Sequence, residues 1–391
     1  MHTLLIALAT IGQAAAGRLL VASYGNDTSP GAIQTLELPP STNENIDQTM
    51  KVTHENHECG KSPTWLDLSL GRERIVCLDE VEIGANLTML SVGADGSLSK
   101  ISSSPVLGGA VSSASYNNGS ALALAHYGPQ AAISLFTIDG NNKFSSLQNF
   151  TFEKPEQIHQ AVLDPTGQFM IFPSLGANLV HVYCIDPASH QLTEHEPLKS
   201  KPEYGPRHAV FWTSPDSKTT YLFVVHEKSN KIISYKVDYP ECGGLEFTEV
   251  DEVSTYGNTT LPPVSYASEM TLSPDNKFLV AANRNGTVFK VDNPDPKNST
   301  QVPSDSLATF KPTADGKLSF VQLAKSGGYY PRHFNMNKDG SMIAVANQYS
   351  KNVAVYSRNL ETGRIEDSKP VATAEGLGPG DLMFVQWLEQ Q

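Results

Sequence analysis

A chain of 391 residues is long enough to bury several hydrophobic cores, so burial does not limit the fold. A formal charge of −13, with no Lys/Arg run and no basic-aromatic interleaving, argues against nucleic acid as a partner. No Pro/Ser-rich linker or charge block divides residues 17–391, which read as one domain, and no run there is long and apolar enough for a membrane helix.

The first residues carry a targeting pattern. Residues 4–12 form an apolar run too short to span a bilayer, and Ala14, Ala15 and Ala16 precede Gly17 as in a signal-cleavage site. Residues 1–16 are expected to be a signal peptide and the protein to be secreted, with cell-wall association as a further expectation. Seven Asn-x-Ser/Thr sequons agree with that route. Asn26, Asn86, Asn118, Asn149, Asn258 and Asn298 are glycosylation candidates. Asn285 is expected to stay bare because it adjoins a candidate site residue, Arg284.

Short strands then recur along the chain. Residues 18–24 and 32–38 read as a hairpin across a Gly/Asn/Asp/Ser/Pro turn. Residues 65–80 hold a weak copy of a longer pattern: a polar residue entering a strand, a turn, then a second apolar strand. A hairpin follows at 121–128 and 132–138. The pattern is clear at 159–173, at 207–227, at 269–284 and at 332–347. The second strand of that hairpin returns at 179–185, 231–237 and 352–357. Residues 256–266 and 293–306 read as polar, Pro-containing loops that could cover one face. Inner strands counted near Leu19, Trp65, Ala121, His159, Arg207, Glu269 and Arg332 predict an all-β, seven-bladed β-propeller of four-stranded antiparallel blades. Residues 382–387 lie past the last unit. They are expected to close the ring beside the N-terminal strand, since an open ring would leave sheet edges exposed.

Cys59, Cys77, Cys184 and Cys242 allow three full pairings. Cys77 and Cys184 sit inside strand patterns and read as buried thiols. Cys59 and Cys242 sit beside glycines in loop-like stretches. One or two disulfides are expected, with the pairing open. No Cys-x-x-Cys is present, so no metal is expected, and no cofactor either.

His159, Arg207, Glu227 and Arg284 stand at strand ends of the repeat, which in a propeller face the central channel. Two guanidiniums there would form an anion site, because their planar forks match carboxylate or phosphate. His159 and Glu227 are the catalytic candidates for moving a proton near neutral pH. Arg207 and Arg284 are the substrate-binding candidates, and a small anionic substrate is the expected partner. His208, Glu269, Arg332 and His333 are supporting candidates, with Glu269, Arg332 and His333 also readable as a lock between blades.

These segments resemble the lactonase family of seven-bladed propellers, which includes bacterial-type 6-phosphogluconolactonases and fungal 3-carboxy-cis,cis-muconate lactonising enzymes. The resemblance rests on Gly205 to His208, Val225 to Glu227 with Ser229 and Asn230, Ala267 to Met270 leading to Asn283 and Arg284, and Pro331 to Phe334. It extends to Trp65 after Pro63 and to Leu175 to Ala177. It departs where Ser174 replaces the usual Asp and His226 the usual Asn. It implies a cofactor-free active site of His159, Arg207, Glu227 and Arg284, and first a carboxymuconate cyclase-like lactonising isomerase. A hydrolase of the 6-phosphogluconolactonase type is the alternative, and a secreted binding or antigenic glycoprotein with little turnover is another.

Overall fold

The computed structural model describes residues 17–388 apart from 40–48, 72, 217, 241–242 and 296. The expected signal peptide lies outside the described residues. Seven four-stranded antiparallel sheets stand around one axis. Six are consecutive in the chain. They begin with the innermost strands Pro63–Asp67, Ala110–Tyr116, Val162–Leu163, Pro206–Thr213, Tyr266–Leu272 and Pro331–Met336, and are called blades one to six here. Blade seven takes its innermost strand from the C-terminal end, Leu382–Leu388, followed outward by Arg18–Ser23, Ala32–Glu37 and Lys51–Asn56. The expected ring closure is therefore present, with Arg18 opposite Leu388 and Val21 opposite Val385.

Two of the seven landmark positions need correction. Leu19 and Ala121 lie on second strands, Arg18–Ser23 and Ala121–His126. The innermost strand of blade two, Ala110–Tyr116, reads Ala-Val-Ser-Ser-Ala-Ser-Tyr, too small and polar to stand out. The stretch 293–306 is likewise not all loop. Gln301–Ser304 pairs with Phe289–Asp292 as an extra hairpin inserted in blade five, and Ser306 opens the next strand. Pro303 is tolerated because the hairpin has only two strands and offers an edge.

Second strands are buried along nearly their whole length, and completely in Ala121–His126, Phe169–Ser174 and Leu279–Arg284. Their apolar runs are continuous because each blade is covered on both faces. Outer strands such as Leu98–Pro105 face water and lose that pattern. The core is divided accordingly into seven clusters, each drawn mainly from two adjacent blades. Leu135 and Phe172 meet between blades two and three, and Phe223 and Phe310 between blades four and five. Among the described residues no helix is long and apolar enough to cross a membrane.

A disulfide joins Cys59 to Cys77, with Cα atoms 5.8 Å apart, and so ties the loop before blade one to that blade's second strand. Cys77 is thus bonded and not a free thiol, which its apolar strand context concealed. Cys184 is a free thiol, and Cys242 lies outside the described residues. The bridge closes a separation of 18 residues, which predicts about 3 kcal/mol of stabilisation. The Cys59→Ala/Cys77→Ala variant should melt roughly 5 °C lower in a thermal scan. No change in Tm would show that the bridge does not constrain the unfolded chain.

Candidate functional site

One irregularity repeats around the axis and builds the site. Near its start, the innermost strand of each blade carries one residue more than the second strand beside it. In blade four Pro206 faces His226 while His208 already faces Val225, so Arg207 has no partner. The same step leaves Arg332 unpaired in blade six, Thr64 in blade one, Val111 in blade two and Met383 in blade seven. In blade five Ser268 and Glu269 together face Ala282. Blade three repeats the step between the Ile158–Ser174 bridge and the Val162–Ile171 pair, and there the matching residue is His159. A bulge of this kind bends the strand and re-aims one side chain. In every blade but the fifth, where Ser268 donates to the Pro331 carbonyl, it turns one side chain toward the axis. Thr64, Val111, His159, Arg207, Arg332 and Met383 all line one cavity of about 20 Å³, the size of a single water.

The register places two further rings around this one. Above it stand residues from the ends of six second strands: Arg284 closes that of blade five, and Glu227, Gln348, Tyr24, Glu80 and Tyr127 directly follow those of blades four, six, seven, one and two. Below it, His208, Glu269, His333, Phe384 and Trp65 follow one another through blades four, five, six, seven and one. Trp65, Glu269, His333 and Phe384 line both the small cavity and a wider channel of about 460 Å³ beneath it, so they separate the two. Phe384 stacks on His333 at 3.7 Å between ring centres and meets Trp65 at 4.8 Å, which fills the axis with rings at that level.

The four residues singled out first fall together, but not as a free pair of arginines. Glu227 Oε2 lies 2.9 Å from Arg207 Nε and 2.8 Å from an Arg284 terminal nitrogen, so one carboxylate bridges both guanidiniums. Both arginines are buried, at 2% and 3% side-chain exposure, whereas Glu227 keeps 21%. Arg284 also donates to the Ala267 carbonyl at 3.1 Å and lies under the Tyr330 ring at 5.0 Å. Burial alone would raise the Glu227 carboxyl, but Arg284, Arg207 and Arg332 outweigh it and hold Glu227 below the usual carboxylate range. Burial, with Arg284 beside it, brings Arg207 down to about 9, which leaves it charged at neutral pH.

The supporting residues form a second array. Glu269 Oε1 accepts from His208 Nδ1 at 2.9 Å and from the Met270 N–H at 2.9 Å. His208 Nε2 in turn lies 3.2 Å from His159 Nδ1 and 3.3 Å from an Arg207 terminal nitrogen. The pattern fixes the protons. Anionic Glu269 requires the proton on His208 Nδ1, which makes His208 Nε2 an acceptor. His159 must then carry its proton on Nδ1, leaving the lone pair on Nε2. Burial pushes Glu269 up, but His208 and His333 outweigh it and bring it down to about 2. Burial, then the charge of Arg207, holds His159 well below the usual imidazole range. His159 is thus a neutral base on a buried relay, with Tyr127 edge-on to its ring at 5.6 Å.

Glu269 and His333 do meet across blades five and six at 3.3 Å, as the lock reading expected, but Arg332 takes no part in that contact. The departures from the family pattern are accommodated locally. Ser174 donates to the Glu156 carboxylate, and buried His226 pairs with the Ser200 hydroxyl at 2.7 Å. Tyr24, Glu80, Tyr127 and Tyr330 escaped the sequence reading. Their only signal was position, since three of them directly follow a second strand. Asn285 accepts from the Tyr329 hydroxyl, while Asn26, Asn118, Asn149, Asn258 and Asn298 are exposed and Asn86 is half-buried.

Comparison with known proteins agrees with this architecture. The family model described as lactonase, seven-bladed β-propeller, matches residues 18–377. A probable 6-phosphogluconolactonase of Arthroderma benhamiae is 29% identical over 328 residues, covering 81% of this chain and 78% of that protein. A 6-phosphogluconolactonase of Formosa agariphila is 26% identical over 264 residues, covering 64% of this chain and 67% of that one. Among solved structures, a periplasmic gluconolactonase of Pseudomonas aeruginosa superposes with a TM-score of 0.76 at 21% identity, over 95% of this chain and 98% of that one. A putative 6-phosphogluconolactonase of Bacteroides fragilis gives 0.76 at 20% identity, over 97% and 99%. At such identities the structures speak for the shared fold alone.

Proposed function

Since the chain belongs to the lactonase family of seven-bladed β-propellers, we propose that it hydrolyses a sugar-acid lactone of the 6-phosphogluconolactone type. The observation that carries this reading is the Glu269–His208–His159 relay, which ends in an unprotonated Nε2 beside a water-sized cavity also lined by Arg207. His159 Nε2 takes a proton from water, and the hydroxide oxygen bonds to the lactone carbonyl carbon. The Arg207 guanidinium stabilises the oxyanion that develops. Collapse breaks the bond to the ring oxygen, which leaves with the proton from His159. Water is thereby added across one ester bond, and the hydroxy acid forms. Glu227 holds Arg207 and Arg284 in place and lowers the cost of keeping two cations together.

The carboxymuconate-cyclising reading uses the same four residues and rests on the family resemblance alone. The relatives' names favour the hydrolase. The test is turnover of 6-phosphoglucono-δ-lactone, glucono-δ-lactone and 3-carboxy-cis,cis-muconate by the purified chain. Proton release with the lactones and no loss of diene absorbance is expected, and the reverse would restore the cyclase. Secretion and glycosylation remain part of the proposal. They are supported by the Cys59–Cys77 bridge, which persists in oxidising compartments, and by the exposed sequons. Cell-wall association remains an expectation of the sequence.

The pH dependence follows from the base. Burial, together with the Arg207 charge, holds His159 below the ordinary imidazole value, so the reactive neutral form persists into mild acid. The acid limb of kcat/KM for lactone hydrolysis should therefore have its midpoint below the ordinary histidine value of about 6.5. A midpoint at or above about 6.5 would assign the limb to an exposed histidine instead.

A further inference from the structure

Arg207 and Arg332 occupy the same bulge position in blades four and six, yet their surroundings differ in one respect. The residue directly after the second strand of blade four is Glu227, which engages Arg207. The corresponding residue of blade six is the neutral Gln348, whose amide donates to Asp381 at 3.0 Å. The next carboxylate around the axis, Glu80, accepts from the Tyr24 hydroxyl. Arg332 therefore has no ion pair or side-chain hydrogen bond with any described residue, although it lines the same cavity as His159 and Arg207. It also keeps more solvent access than Arg207 or Arg284. Burial opposes the charge of Arg332, but its neighbours, Glu80 and Glu227 among them, outweigh burial at longer range and keep it charged, while its donor fork has no bonded partner among the described residues and is open to a ligand anion.

We propose that Arg332, not the Arg207–Arg284 pair, grips the anionic group of the substrate and makes the site selective for a phosphorylated lactone over a neutral one. The Arg207–Arg284 pair is already neutralised in part by Glu227, and an anion arriving there would meet that carboxylate. At Arg332 it meets a planar donor fork suited to the oxygens of a phosphate. The lactone carbonyl then lies toward His159 and Arg207, which line the same cavity, and that cavity takes the attacking water alone. The inference rests on the hydrolase reading for its substrate and on geometry for the residue.

The test compares full-length wild type with Arg332→Gln and Arg332→Lys on 6-phosphoglucono-δ-lactone, glucono-δ-lactone and D-glucaro-1,5-lactone, which carries a carboxylate in place of the phosphate. Wild type should prefer the phosphorylated substrate. Arg332→Gln should lower kcat/KM for it by about 30-fold, mostly through KM, and reduce the phosphorylated-to-neutral ratio by at least ~10-fold. Arg332→Lys should recover part of the ratio. Equal losses on charged and neutral lactones, or no wild-type preference, would overturn the assignment, as would a preference for the carboxylate lactone. Calorimetry with the products 6-phosphogluconate and gluconate keeps the two claims apart. If no lactone is turned over, the hydrolase reading fails. Tighter binding of 6-phosphogluconate that weakens in Arg332→Gln would still establish the anion grip. Circular dichroism confirms that each variant folds, and Arg332→Lys carries the comparison if the Gln variant does not.

Discussion

His159→Asn is expected to reduce kcat for lactone hydrolysis by about a thousandfold while leaving the protein folded. The amide can replace the Nδ1–H donor toward His208 but offers no basic nitrogen where Nε2 stood. Water must then be deprotonated by bulk solvent, and the contribution of a positioned general base is lost. KM should move little, because the substrate anion is held elsewhere. The acid limb of the pH profile should vanish with the side chain, a result that a merely structural role for His159 cannot produce. His159 is buried against Tyr127 and His208, so some loss of stability is expected, on the order of 1 kcal/mol. A variant retaining a tenth or more of wild-type kcat would remove His159 from the reaction and turn attention to Glu227, the other proton carrier indicated by the sequence.

Glu227 is the weaker candidate for a physical reason. A carboxylate shared by two guanidiniums and held below its usual pKa is a poor base near neutral pH. From the sequence alone His159 and Glu227 were equivalent, since both stand at repeat positions and both can carry a proton. What separated them was contact. Glu227 bridges Arg207 and Arg284, and His159 ends a hydrogen-bonded series that begins at Glu269. The fold was legible because residues such as 221–227 and 279–284 repeat an apolar second strand that only a two-sided blade requires. The Arg-His pairs at 207–208 and 332–333 were legible because the repeat places them identically. The bulge that turns Arg207 and Arg332 to the axis was not, because it is a property of register between strands and leaves no composition signal. Tyr24, Glu80 and Tyr127 were hidden for a related reason: each is an ordinary residue following an apolar run, and only the seven-fold alignment of second strands brings them to one place. The misplaced inner strands at Leu19 and Ala121 show the limit of apolar patterning. The true inner strand of blade two is Ser- and Ala-rich, while the stronger apolar signal belongs to the strand behind it.

Glu269 offers a second large effect, and its two variants separate charge from hydrogen bonding. Oε1 is committed as an acceptor by both His208 Nδ1 and the Met270 N–H, so a glutamine must place its oxygen there and its NH₂ at the Oε2 position. That position faces His333 Nε2 at 3.3 Å without hydrogen-bond alignment, so little is lost. His333 can answer by moving its proton to Nδ1, because Val385 offers a carbonyl at 3.1 Å and an N–H at 3.4 Å on that side. Glu269→Gln therefore preserves the His208 and His159 tautomers and removes only the negative charge that stabilises the relay when His159 becomes an imidazolium. A fall in kcat of about a hundredfold is expected, together with an acid limb moved still lower, since a negative charge that favours protonation has gone. Glu269→Ala removes the acceptor as well. His208 then has no partner fixing its proton on Nδ1, and its flipped tautomer would present N–H to His159 and turn the lone pair of His159 inward. Here kcat should fall at least a further ~10-fold, with a stability loss of about 3–5 kcal/mol from breaking a buried charge array. The decisive reading is the order of the two variants. If Glu269→Gln were as impaired as Glu269→Ala, charge and not tautomer control would be the whole of the Glu269 contribution. If Glu269→Gln matched wild type in kcat, the relay would be a structural lock between blades, and His159 would act without help from the ring of residues beneath it.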